Sequence, residues 1–145
     1  MKRHPSLAPL SRQHHPALIL SQLLKKNAPA YKGMPTDTEG KMLYATRFYQ
    51  SDLVPHFADE EKVFEKLNNI NPLLDAAIKE IVEEHALLHQ LFAGIPVQTD
   101  AVTYLDELGH TLEKHIRKED RELFPMIEQL VDEATMISID QLLNH

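Results

Sequence analysis

The chain carries 9 histidines in 145 residues, more than its 5 phenylalanines or its 4 tyrosines, and four of them stand in pairs at one spacing. His56 and Glu60 form an H-x-x-x-E pair, His85 and His89 an H-x-x-x-H pair, and His115 and Glu119 a second H-x-x-x-E. On a helix, residues four apart lie one turn apart on the same face, so each pair can bring two donor atoms to one point. Asp120 directly follows Glu119 and offers an alternative carboxylate in the last pair. Imidazole suits Zn, Cu and Fe, and carboxylates on inward-facing helices of a bundle are the donors of di-iron and di-manganese centres.

Phase decides whether these donors can meet. In the stretch holding the first pair, Met42, Ala45, Tyr49 and Leu53 lead into His56 and Glu60, then into Val63 or Phe64 and Leu67, at spacings of three and four. Ile78 and Ile81 lead into His85, His89 and Phe92; Leu105, Leu108 and Leu112 lead into His115 and Glu119, then Leu123 and Met126. Of the adjacent His14 and His15, His14 is in step with Leu7, Leu10, Ala17 and Leu24. All these donors therefore lie on core-facing stripes. A single core histidine usually packs and hydrogen-bonds, but five imidazoles and two carboxylates buried together would cost several kcal/mol each unless they are paired or bound to cations. One zinc needs four ligands, and seven are present. Two six-coordinate ions sharing two carboxylates and one oxygen would leave one terminal position unfilled by five imidazoles, a position open to O₂, peroxide or NO.

The elements that must position these donors are helical. Only 4 glycines occur, and no sustained period-two alternation supports a sheet. Helical periodicity covers about 7–26, 36–69, 72–92 and 99–131, and the stretch from Ser138 to Leu143 is compatible with a short fifth helix. Thr36 and Glu39 have the spacing of a capping box, and Asn71 can cap a helix with Pro72 in its first turn. Long helices joined by short connections predict one all-α domain over 1–145, an antiparallel up-down-up-down four-helix bundle. Pro16, Pro55 and Pro125 fall inside the helical stretches and predict kinks there.

Composition removes several alternatives. Without cysteine there is no thiolate ligand and no thiol redox chemistry. A formal net charge of -7, with lysine and arginine scattered among acids, offers no basic stripe to nucleic acid. No apolar run reaches membrane-spanning length, and the basic start is followed by no apolar segment of a leader, so a cytoplasmic protein with no membrane partner is expected.

The order of these motifs, one first-helix histidine, then H-x-x-x-E, then H-x-x-x-H, then H-x-x-x-E/D followed by Leu123-Phe124-Pro125, resembles the hemerythrin family and its HHE cation-binding relatives over about residues 7 to 130. The resemblance implies two non-haem iron ions bridged by carboxylate and by an oxo or hydroxo group, with Mn or Zn as substitutes. By that resemblance His85, His89 and His115 hold one ion, while His14 and His56 hold the other and leave its sixth position open. Oxygen-carrying members place an aspartate five after the fourth-helix histidine, and HHE relatives a glutamate four after it; Asp120 and Glu119 fit one each. The internal similarity of the two H-x-x-x-E copies favours Glu119 as the counterpart of Glu60. Asp120 then reads as solvated or as an outside support for a ligand, as Glu61 does. Tyr49 could support a site histidine through its hydroxyl, although a buried tyrosine in a core stripe is the better account of it. His4, His110 and His145 read as surface residues. Three functions fit: a protein that holds O₂ or a related small ligand for storage, sensing or detoxification; an enzyme reducing peroxide or NO or repairing iron-sulfur clusters; or a structural, partner-binding bundle with an incidental metal.

Overall fold

Short acidic and amide side chains start four of the helices. In the computed structural model, which describes residues 2–144, all regular structure among the described residues is helical. Helix α1 spans Ala8–Leu23, with a proline in its first turn. Asp37 caps α2 (Thr38–Phe48) by accepting from the Gly40 amide, so the cap falls on Asp37 rather than on the Thr36 and Glu39 box. Helix α3 spans Val54–Lys66. Asn71 accepts from the Leu73 and Leu74 amides to start α4 (Pro72–Ala93), as its sequence predicts. Asp100 caps α5 (Ala101–Lys118), α6 covers Phe124–Leu130, and Asp132 caps α7 (Glu133–Leu143). The short fifth segment is thus a full helix, and it buries Met136 and Ile139. His145 lies outside the described residues. No helix of the described residues is long and apolar enough to cross a membrane.

Two stretches expected as single helices are each interrupted by one π turn, Tyr49–Leu53 between α2 and α3 and Glu119–Leu123 between α5 and α6. Both lie just ahead of a proline. Pro55 and Pro125 have no N–H to give, and the residue before each, Val54 and Phe124, donates five residues back, to the Tyr49 and Glu119 carbonyls. The wider turn absorbs the proline ring without ending the helix. Helix α1 runs through Pro16.

The packed interior is two apolar clusters with a polar layer between them. One gathers Leu7, Leu10, Val63, Phe64, Ile81, Leu123, Phe124 and Ile139 among others; the second gathers Ala17, Leu20, Leu53, Phe57, Leu88, Leu112 and Ile116 among others. Along α1 the chain passes from Leu10 in the first cluster, through His14, to Ala17 in the second. Along α4 it passes in the same order from Ile81 through His85 to Leu88, whereas α3 and α5 with its π turn run from the second cluster to the first.

Helices α1 and α5 approach closely at Gly109, where an added Cβ would sit 2.6 Å from the Ser21 carbonyl oxygen and 3.1 Å from Leu24 Cβ. The obstacle is backbone, which cannot swing aside as a side-chain tip can. Replacing Gly109 by Ala should therefore destabilise the protein by about 1–3 kcal/mol through overpacking, outweighing a helix-propensity gain of about 1 kcal/mol. A urea or thermal midpoint at or above that of the parent would refute this close contact.

Candidate metal centre

The polar layer is built from one or two side chains of each helix that crosses it. His14 comes from α1, His56 and Glu60 from α3, His85 from α4, His115 from the last turn of α5 and Glu119 from the π turn that follows. All six are buried, and both glutamates are wholly inaccessible to solvent. The sequence phase brings them inward; His15, out of phase with the stripe, is exposed.

These side chains form two groups, His14, His56, Glu60 and Glu119 on one side and Glu60, His85, His115 and Glu119 on the other, each with donor atoms all within 4.8 Å of one another. Both carboxylates belong to both groups. Glu60 Oε2 lies 3.3 Å from His56 Nε2 and 3.5 Å from His14 Nε2, while its Oε1 lies 3.1 Å from His85 Nε2. Glu119 Oε1 lies 3.2 Å from both His14 Nε2 and His115 Nε2, and its Oε2 is 3.9 Å from His85 Nε2.

None of these approaches is a hydrogen bond. The Nε2 atoms of the four histidines and all four oxygens of the two glutamates are the buried side-chain atoms without a partner among the described residues. Eight orphaned polar atoms facing one another in an apolar core would be prohibitive for the fold on their own. Adjacent ligands about 2.1 Å from one ion are separated by roughly 3 Å, close to the observed spacings. The donor set therefore fits cations held between the two glutamates.

The far side of each ring is fully engaged. His56 Nδ1 donates to Gln13 Oε1 at 2.5 Å, His85 Nδ1 to Glu61 at 2.8 Å, His115 Nδ1 to Glu84 at 2.7 Å and His14 Nδ1 to Asp120 at 2.9 Å. With Nδ1 committed to donating outward, each Nε2 faces the centre and can offer its lone pair to a cation. These four bonds form a closed ring. Gln13 of α1 holds a histidine of α3, Glu61 of α3 one of α4, Glu84 of α4 one of α5, and Asp120 after α5 holds His14 of α1. Each supporting residue is the chain neighbour of a different donor, because a step of one residue turns the side chain about 100° toward the adjacent helix.

This ring decides between the two fourth-helix carboxylates as far as position goes. Glu119 occupies the centre, and Asp120 sits outside as the acceptor for His14, with Glu61 in the corresponding place beside Glu60. Gln13 and Glu84 are absent from the sequence reading; the signal for them was their position one residue before His14 and His85. His89 is the exception among the predicted donors, since neither four-residue group includes it. It is half-buried one turn beyond His85, against Phe57, with its Nδ1 2.5 Å from Tyr49 Oη. Tyr49, half-buried, thus holds the His89 ring through its hydroxyl and stacks on Phe92. Of the outlying histidines, His110 is exposed, and His4 is half-buried beside Glu133.

Electrostatics match this geometry. Burial alone would lower the His14 pKa, but Asp120, Glu119 and Glu60 reverse that and push it up to about 12. Burial is likewise overcome at His85, raised to about 10 by Glu119 and Glu60, and at His115, raised to about 9 by Glu119 and Glu84. Glu60, which burial would raise, is held well below the usual carboxylate range by His56, His14 and His85. In the absence of metal, protons on His14, His85 and His115 balance the buried carboxylate charge.

Residues 7–127 match the Hemerythrin HHE cation binding domain family, so most of the chain, including every residue of the two groups, lies inside the match. The chain belongs to that family. No curated protein and no solved structure gives a significant match.

The raised imidazole pKa values set a sign. A histidine whose folded pKa lies above its unfolded 6.5 stabilises the metal-free fold fully below that value, and this support is lost as pH rises through about 9 to 12. Metal-free protein should melt progressively lower from pH 7 to 10, with metal affinity rising over the same interval as cations displace protons. Thermal melts and buffer-dependent calorimetry read both, and a flat metal-free melting profile with no proton release would contradict the charge balance.

Proposed function

We propose that this centre holds two non-haem iron ions and binds a small ligand, O₂, NO or peroxide, for storage, sensing or detoxification. The observation that carries the reading is the sharing of both buried glutamates between two histidine groups, which gives each ion position two carboxylate oxygens and at least two imidazoles. Bridging carboxylates and terminal imidazoles suit iron, and manganese or zinc could occupy the same donors. His89 would complete the His85 and His115 side as a fifth imidazole, for which its position one turn along α4 and the Tyr49 contact on its Nδ1 speak. Among the described residues no further imidazole joins the His14 and His56 group. Iron bound there would supply the coordination position open to a diatomic ligand.

The protein's own part is to orient the donors and keep water away. Phe57 stacks on His85 at 4.3 Å between ring centres, and Phe124 on His14 at 5.6 Å. The two apolar clusters close the layer from both ends. An up-down-up-down arrangement of four helices is supported by the chain order through these clusters, and independently by the outer ring. Gln13 and Glu84 precede their donors while Glu61 and Asp120 follow theirs; these steps turn in one sense about the bundle only if α1 and α4 run opposite to α3 and α5.

Protein purified aerobically should contain iron and show oxo-bridge and iron charge-transfer absorption. Reversible spectral change on cycling O₂ would indicate carriage or sensing, and turnover of peroxide or NO an enzyme. Glu119→Ala should abolish stable iron binding, whereas Asp120→Asn should weaken it by about 10–100-fold by loosening His14. Metal analysis reads both, and equal losses from the two variants would contradict the placement of Glu119 inside and Asp120 outside.

A further inference from the structure

Two surface clefts end at site histidines. One, of about 240 Å³, reaches His115 between Glu84, Leu88, Thr111 and Lys114. The other, of about 210 Å³, reaches His56 between α1 and the first π turn, with Gln13, Ser51, Asp52 and Asp59 around it. We propose that the cleft at His56 is the port through which a divalent cation reaches the buried centre, and that Gln13 is the latch that holds or frees the His56 imidazole. The proposal rests on the metal-centre reading above.

Three observations single out this cleft. The first is the ring of supporting bonds. Three of its four links are carboxylates, and Glu84 is further tied down by Lys118 Nζ at 2.9 Å. The link to His56 is a neutral amide on an exposed side chain, which water can replace more readily than a charge-assisted bond. Consistently, His56 is the most accessible of the four histidines, 5 % exposed against 1–2 % for the others.

The second observation is charge. Asp52 and Asp59 flank the opening and none of the residues lining it is a lysine or arginine; Lys62 stands 4.0 Å from Asp59 on the exposed side. Oxygen donors at the mouth suit a hard divalent cation and draw it inward. Lys114 lines the competing cleft and opposes a cation there. The third is the wall. Beside His56, Pro55 has no N–H to give and Val54 bonds five residues back to the Tyr49 carbonyl, so the wall of the cleft lacks the regular four-residue helical bonding. A cation entering here meets Asp52 or Asp59, then the unlatched His56, then Glu60.

The test is anaerobic loading of metal-free protein with Fe²⁺ by rapid mixing, followed by removal with a ferrous chelator, with iron stoichiometry measured at the end. Ser51→Trp, which plugs the proposed port at an exposed position, should slow both loading and removal, and Thr111→Trp in the other cleft should change neither. Gln13→Ala should speed chelator removal by about 10–100-fold, and Gln13→Glu, which makes the fourth link a carboxylate like the rest, should slow it below the parent rate. Asp52→Asn should slow loading and flatten its dependence on ionic strength. The port is overturned if Thr111→Trp slows loading while Ser51→Trp does not, or if both Gln13 variants load and release iron at the parent rates. Failure of the parent protein to take up iron would instead overturn the reading of the centre itself.

Discussion

Two carboxylates with no access to water, side by side in the middle of an apolar core, are the constraint to which the rest of the molecule answers. Glu60 and Glu119 have no hydrogen-bond donor on any oxygen. A buried carboxylate in that condition is tolerated only beside positive charge. Protonated His14, His85 and His115 supply it when no metal is bound, and cations supply it better, which links metal uptake to folding in one equilibrium. The stability of the fold and the affinity of the centre are therefore two measures of the same charge balance.

That balance also explains the division of the core. A helix that passes through a charged layer must bury apolar side chains on both sides of it, and each of α1, α3, α4 and α5 does so with residues about one turn from its donor. The π turns lie where this requirement meets proline. Each adds a residue just ahead of Pro55 or Pro125, and an added residue rotates everything downstream by about 100°. In this way the turns accommodate proline beside donors that point inward.

The outer ring gives the centre its rigidity. Each imidazole is fixed by a residue from a neighbouring helix, so no helix can rotate about its axis without breaking two supports, one that it gives and one that it receives. Such a closed arrangement is strongest where its links are charged, and the Gln13 link stands apart as the neutral one at an opening to solvent.

Much of this was legible in the sequence because helical periodicity is a local property. The spacing of His56 with Glu60, His85 with His89 and His115 with Glu119, together with the apolar residues in step with them, determined the helices, the inward face and the candidate donors, and chose His14 over His15. Tertiary structure alone decided what depends on distances between helices. It gave Asp120, outside the centre, a histidine of another helix to hold, His14 of α1. It assigned Gln13 and Glu84 to histidines on other helices, left His89 beside Tyr49 rather than in either four-residue group, and made one support a neutral amide at a cleft. Periodicity tells each helix which face to bury; only packing tells it what that face will touch.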